Sequence, residues 1–258
     1  MAVKKILLNV LGEKRYLSFL SRIFQRLHSL GLLGKEYADI FFLKKFIRKG
    51  DYCVDIGAHL GYFTLPLSRL VGDTGKVFAI EPMRAFHDTL QGLLVQKHVQ
   101  NVTLYKVALG GDGEYVQMGI PDSGATKHFA HARVVEANPH LAFSGSEQVR
   151  NESGDRLFAE LPRLDYIKCD VEGLEYKVFA SMTKTIEKHR PILLCEFFDG
   201  GQRRQFFELI KPFGYEGYVL EAGQLVALDM DEKGGIVAQN DYFIPSKHLE
   251  RMRPFIRE

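Results

Sequence analysis

Between residues 13 and 33, Tyr16, Leu20, Phe24, Leu27 and Leu30 recur at three- and four-residue spacings with Ile23 alongside, which predicts an amphipathic helix. Arg15, Arg22 and Arg26 lie elsewhere on the wheel, and Gly31 and Gly34 punctuate the pattern. Residues 36–48 read as a second helix, ended by Gly50. From residue 51 short apolar runs alternate with helical stretches. The pattern predicts strands at 51–56, 76–80 and 102–107, with helices at 60–70 and 83–97. Residues 110–160 break this rhythm with Gly, Pro, Asn and three of the nine histidines, leaving a strand signal only at 115–120. The alternation then resumes: strands at 166–169 and 192–197, helices at 174–182 and 202–211, and closing strands at 215–221, 225–228 and 242–244. Strand–helix alternation at this pitch implies βαβ units and a parallel sheet. The expected organisation is a helical extension over 1–50 and an α/β domain over 51–258, with an insert at about 110–160.

Composition narrows the class. At 46% hydrophobic and 26% charged residues, the chain is neither disordered, nor collagen-like, nor a multi-span membrane protein. No apolar run reaches the ~18 residues that a span requires. The apolar run from Ile6 to Leu11 is too short for a signal-peptide core. Three cysteines, Cys53, Cys169 and Cys195, show no CxxC spacing, which argues against a disulfide framework or an ordinary zinc site and for a cytoplasmic setting. The net charge is +2, but residues 1–50 hold eleven Lys/Arg against three Asp/Glu, and the remainder is net acidic.

Chemistry first shows where the 51–56 strand meets the next helix. Val54-Asp55-Ile56-Gly57-Ala58-His59-Leu60-Gly61 joins them through a glycine loop, and a helix N-terminus follows with free N–H groups. Glu81 ends the next strand, where a carboxylate accepts hydrogen bonds from ribose hydroxyls. A dinucleotide and S-adenosylmethionine share this plan. The dinucleotide fingerprint GxGxxG is absent, and Asp55 would repel a pyrophosphate while suiting a methionine ammonium. The helix end, helped by the Thr64 hydroxyl, would take the methionine carboxylate.

At this point the chain resembles the class I S-adenosylmethionine-dependent methyltransferases, and among them the FkbM family. The resemblance rests on residues 54–64, then Ala79-Ile80-Glu81-Pro82, then Asn101-Val102-Thr103-Leu104 running into Val107-Ala108-Leu109-Gly110. Its most specific stretch is Asp165-Tyr166-Ile167-Lys168-Cys169-Asp170-Val171-Glu172-Gly173, followed by Arg190-Pro191-Ile192-Leu193-Leu194-Cys195-Glu196. It implies an α/β, Rossmann-like sheet of order 3-2-1-4-5-7-6 with strand 7 antiparallel and helices on both faces. It also implies O-methyl transfer, commonly onto sugar or natural-product hydroxyls. Asp55, Gly57, Gly61 and Thr64 would hold the methionine part, Glu81 the ribose, and Val107 and Ala108 would border the adenine. Ala58, His59, Phe63, Pro82 and Asp170 complete the cofactor set. Where the family carries Asn this chain has His59, and of a Thr-Leu-Asp before the fourth strand only Asp155 corresponds.

A neutral hydroxyl is a poor nucleophile, so a general base is expected. Asp170, Glu172 and Glu196 end or follow adjacent strands and allow three readings. Asp170 or Glu172 is a base or hydroxyl orienter. Alternatively, Asp170 and Glu196, with Glu172, hold a divalent ion such as Mg²⁺. In the third, Asp170 contacts the cofactor while Glu172 and Glu196 cap helices or pair with Lys168 and Arg190. His128 and His131, three residues apart in the insert with His140 nearby, are reserve bases. Residues 120–150 are expected to shape acceptor selection.

The basic helix at 13–33 has two readings. One is packing on the sheet or at a homo-oligomer interface. The other is contact with the inner face of a membrane, suiting a lipid-linked glycan acceptor. The acidic catalytic part, without basic residues interleaved with aromatics, argues against nucleic acid. The remaining functional classes are an N- or carboxyl-methyltransferase, a cofactor-binding pseudoenzyme acting as an interaction module, and, least supported, a nicotinamide dehydrogenase.

Overall fold

The computed structural model describes residues 10–122, 132–197, 200–228 and 239–257. Parallel strands β1 (Tyr52–Ile56), β2 (Lys76–Ile80) and β3 (Val102–Tyr105) form one half of the main sheet. Three short strands, β4 (Ala108–Leu109), β5 (Tyr115–Pro121) and β6 (Arg133–Val134), and the longer β7 (Phe143–Glu152) follow in the insert. Strands β8 (Tyr166–Cys169), β9 (Ile192–Phe197), β10 (Tyr215–Glu221), β11 (Gln224–Ala227) and β12 (Gln239–Pro245) complete the chain. The main sheet runs β11-β10-β12-β9-β8-β1-β2-β3. β1, β2, β3, β8 and β9 are mutually parallel, β12 enters antiparallel between β9 and β10, and β11 adds an eighth strand beyond β10.

Helices α1 (Glu13–Ser29), α2 (Ala38–Phe46), α3 (Thr64–Val71) and α4 (Arg84–Gln96) precede the insert. Helices α5 (Gly154–Leu157), α6 (Glu175–Ala180), α7 (Thr183–His189), α8 (Gly200–Ile210) and α9 (Leu249–Met252) follow it. Successive strand residues point to opposite faces, so the central strands are apolar on both. Val54, Ile56, Ile167 and Leu193 pack on Val178, Phe179, Ile186 and Phe206 of α6–α8. Cys53, Val77, Tyr166 and Leu194 pack on Phe42, Leu43 and Phe46 of α2, with Leu67 and Val71 of α3. The N-terminal extension is thus built into the same core. Asp39 of α2 accepts the Tyr242 hydroxyl at 2.7 Å and the Asn240 amide at 2.7 Å, tying α2 to β12. Arg251 joins the carbonyl of Phe46 to the Asp51 carboxylate.

Three local differences from the pattern have clear causes. The predicted helix at 60–70 begins only at Thr64, because Gly57 and Gly61 take left-handed backbone and the loop is drawn across the ends of the strands. The predicted strand 102–107 stops at Tyr105, and Ala108–Leu109 cross to the insert's own sheet. That sheet has the order β4-β7-β5-β6, and its longest member, β7, reads Phe-Ser-Gly-Ser-Glu-Gln-Val-Arg-Asn-Glu with only Val149 buried. So polar a strand carries no periodic signal. Val116, Met118, Val134 and Val149 of the insert meet Tyr16 and Leu17 of α1 over Leu60, Met83 and Phe86. Among the described residues no helix is long and apolar enough to cross a membrane.

Candidate active site

The carboxyl ends of β1, β2, β8 and β9 open into a cleft of about 470 Å³. Backbone bonds hold its floor: the N–H groups of Gly57 and Ala58 both donate to the Ile80 carbonyl at 3.0 Å, and the Asp170 N–H donates to Ile56 at 3.1 Å. Gly57 has φ 80°, and a Cβ there would overlap the Asp170 carbonyl oxygen. Only glycine lets the β1 loop pass this close to the end of β8.

Asp55 is wholly buried yet lines the cleft. Its Oδ2 accepts the Thr64 hydroxyl at 2.6 Å, while Oδ1 has no partner. Burial raises its carboxyl above the ordinary range, and the Lys168 charge opposes the rise. Glu81 accepts the His59 N–H on Oε2 at 2.7 Å and the Met83 N–H on Oε1 at 2.9 Å. Burial pushes its pKa up to about 7 against the pull of those two bonds. Each oxygen keeps a second lone pair for a further donor. His59 has φ 47°, and its ring lies 4.2 Å from that of Phe86, centroid to centroid.

Lys168 and Asp170 stand two residues apart and face the same side of β8. Lys168 Nζ donates to Asp170 Oδ2 at 2.9 Å and sits 5.1 Å from the centre of the Phe63 ring. Burial works against the charged lysine, but Asp170 and Asp55 outweigh it and lift its pKa above the usual value. The next turn is fixed by Glu175, whose Oε1 accepts the N–H groups of Val171 at 3.1 Å and Gly173 at 3.0 Å. This holds Glu172 at φ 58°, and its Oε2 accepts a hydrogen bond from Arg133 of the insert at 3.3 Å. Glu196 lies next to this group, since β8 and β9 pair Cys169 with Cys195. It is half-buried and lines the cleft, and its carboxylate makes no side-chain hydrogen bond or ion pair with a described residue. Burial and then the Asp170 charge push its pKa up to about 7.

The cleft therefore brings together Asp55, Gly57, Ala58, His59, Phe63, Glu81, Pro82, Asp170, Glu172 and Glu196 from the residues singled out in the sequence. Others stand outside its lining. Gly61 packs against Leu90 and gives its carbonyl to Gln25; Thr64 is directed to Asp55 rather than to a ligand. Val107 and Ala108 belong to apolar clusters beside the cleft. Asp155 accepts the backbone N–H groups of Lys184 and Thr185 at the start of α7, so it serves the helix. His128 and His131 lie outside the described residues, and His140 is exposed in a turn. The divalent-ion reading finds no ligand set: Lys168 and Arg133 already engage Asp170 and Glu172. Among the described residues no group of three His, Cys, Asp or Glu could hold a metal.

Lys168 was named from the sequence only as a partner for Glu172 or Glu196, and it pairs with Asp170 instead. Other lining residues were not singled out from the sequence. Glu36, Tyr37, Asp39 and Ile40 of the N-terminal extension and Asn240 of β12 carried no signal, since only the tertiary fold brings them to the cleft.

The family model of the FkbM methyltransferase domain matches residues 55–220, from the floor of this cleft to β10. The chain belongs to the FkbM methyltransferase family. The matched domain is that of an S-adenosylmethionine-dependent methyltransferase. The residues fit that cofactor: Asp55 presents an unpartnered buried carboxylate oxygen, and Glu81 lies at the neighbouring strand end. Solved structures similar to this FkbM chain include the methyltransferase FkbM from Methylobacillus flagellatus. It is 19% identical with a TM-score of 0.44, over 75% of this chain and 43% of that one. A putative rRNA methylase from Clostridium thermocellum is 14% identical with a TM-score of 0.48, over 82% and 94%. Among curated proteins, the 23S rRNA uracil-C5 methyltransferase RlmD of Acinetobacter baylyi is 39% identical over 64 residues, 22% of this chain. The chain spans 14% of that relative's length.

Proposed function

We propose that the protein methylates a hydroxyl of a polyhydroxylated acceptor, a sugar, glycan or secondary metabolite, with Glu196 as the general base. The observation that carries this is the unpartnered, half-buried Glu196 carboxylate in the same cleft as Asp55 and Glu81. S-adenosylmethionine, when bound, supplies an electrophilic methyl group on a sulfonium. Asp55 would hold its ammonium and Glu81 its ribose hydroxyls. Asp170, fixed by Lys168, raises the proton affinity of Glu196. A carboxyl with a pKa near 7 is deprotonated enough to act and basic enough to take a hydroxyl proton on Oε. Glu36, Asp39, Glu172 and Asn240 add acceptors and one amide to the walls, which suits an acceptor rich in O–H donors. The same carboxylates would repel a phosphate backbone, which speaks against nucleic acid.

Two titrations and one kinetic comparison test the reading. Wild type should bind S-adenosylhomocysteine by calorimetry, and Asp55→Ala should lose that binding. With a glycan or polyol acceptor, Glu196→Gln should keep the affinity but lower kcat by about 10²–10⁴, and a chelator should leave kcat unchanged. A fully active Glu196→Gln would overturn the assignment of the base. Turnover with amines alone would overturn the hydroxyl acceptor.

A further inference from the structure

We infer that the outer face of α1 is a docking surface for an anionic phospholipid bilayer. Six of the eight exposed large hydrophobic side chains among the described residues, Val10, Phe19, Ile23, Leu27, Leu30 and Leu32, fall between positions 10 and 32. They are not a misplaced core face. The inner side of α1 is already filled by Leu17 and Phe24, with Ser21 donating to the Leu60 carbonyl at 2.8 Å and Gln25 to Gly61 at 3.1 Å, and Tyr16, at the start of the helix, is covered by the insert. At 100° per residue, Phe19, Ile23 and Leu30 share one arc of the helix, and Arg15, Arg22 and Arg26 occupy the arc beside it. Arg22 and Arg26 also line an open hollow with Arg69 and Lys97, which no acidic residue enters. An apolar row bordered by cations is the arrangement that lies in a membrane interface, the row among the acyl chains and the cations at the phosphates.

Charge separates this occupant from the others. A second copy docked face to face would set arginine against arginine. A nucleic acid would match the cations but leave the aliphatic row unused. The bilayer satisfies both. The surface lies on the back of the helix that grips the Leu60 and Gly61 carbonyls of the glycine loop, so docking would hold the catalytic cleft close to the membrane.

The test uses the full chain in co-sedimentation with vesicles of phosphatidylcholine alone and of phosphatidylcholine with phosphatidylglycerol, roughly two to one. Wild type should partition into the anionic vesicles about tenfold more strongly than into the neutral ones, and lose most of that preference at about 0.5 M salt. The pairs Ile23→Glu with Leu30→Glu and Arg22→Glu with Arg26→Glu should each weaken partitioning by about tenfold or more. All these positions are exposed, so unchanged melting curves and S-adenosylhomocysteine affinity would show that the fold is intact. Equal partitioning into both vesicles, no partitioning, or variants that bind like wild type would overturn the proposal. So would a wild-type dimer in light scattering that the Ile23/Leu30 pair dissociates, since the face would then belong to a second copy.

Discussion

A single methyl group at Gly57 would close the approach between β1 and β8, because the added carbon meets a backbone carbonyl rather than a side chain that can turn away. Gly57→Ala is expected to cost about 2–4 kcal/mol of stability, from strain at φ 80° and displacement of the β8 end. S-adenosylhomocysteine affinity should fall with it; melting curves and calorimetry read both, and an unchanged protein would show that the loop can move aside. The second residue-scale prediction concerns Glu196. With its pKa pushed up to about 7, the carboxylate fraction grows as pH rises through that value. At saturating cofactor, kcat should be half-maximal near pH 7 and fall about tenfold per unit below it. Saturation matters because Glu81, the residue proposed to hold the ribose, is also pushed to about 7. Glu196→Gln should abolish this limb, and its persistence in the variant would assign the titration to another group.

At the scale of elements, α1 shows what a wheel of apolar residues leaves open. The three- and four-residue spacing does mark a helix, but its buried face holds Ser21 and Gln25 while Ile23, Leu27 and Leu30 face outward. The reason is the surface it packs on. The left-handed glycine loop turns the Leu60 and Gly61 carbonyls toward α1; Leu60 takes the Ser21 hydroxyl, and Gly61, which already accepts the Leu65 N–H at 3.2 Å, takes the Gln25 amide as a second donor. Replacing both donors, Ser21→Ala with Gln25→Ala, should cost about 1–3 kcal/mol, mostly from the Leu60 carbonyl left without its donor. S-adenosylhomocysteine binding should weaken with the loop, and unaltered binding would mean that the loop holds its shape without the helix. The insert teaches the converse. β5 was readable because Val116 and Met118 alternate with polar residues, whereas β7 has only Val149 buried and is held in place by its neighbours.

At the scale of the molecule, the sheet has a consequence for pH stability. Asp241 of β12 lies between two paired strands, is 1% exposed, and has Arg203 3.8 Å away as its ion-pair partner. Burial outweighs that arginine and raises the carboxyl to about 7. The folded state therefore favours the protonated acid. Its contribution to stability is complete below the unfolded value near 4 and is lost as pH rises through about 7. Asp241→Asn, which cannot ionise, should be more stable than wild type above pH 7 by about 1–3 kcal/mol, with the gap closing toward about pH 4. Denaturant titrations across that range decide the matter, and a gap that does not vary with pH would rule out the titration.

Local periodicity determined the central strands, because strands buried on both faces are apolar throughout. The glycine loop and the two strand-end acids Asp55 and Glu81 were equally legible, because a tight turn and a carboxylate at the cleft demand particular residue types at fixed offsets. The tertiary structure alone decided how the cleft is completed. Long-range pairing sets Glu196 beside Asp170 and brings Asn240 in from β12, while the packing of α2 swings Glu36, Tyr37 and Asp39 over the opening. It also decided that Thr64 serves Asp55 and that Asp155 serves α7, since one chain's hydroxyls and carboxylates have many partners within reach of their side chains and only the packed arrangement selects among them.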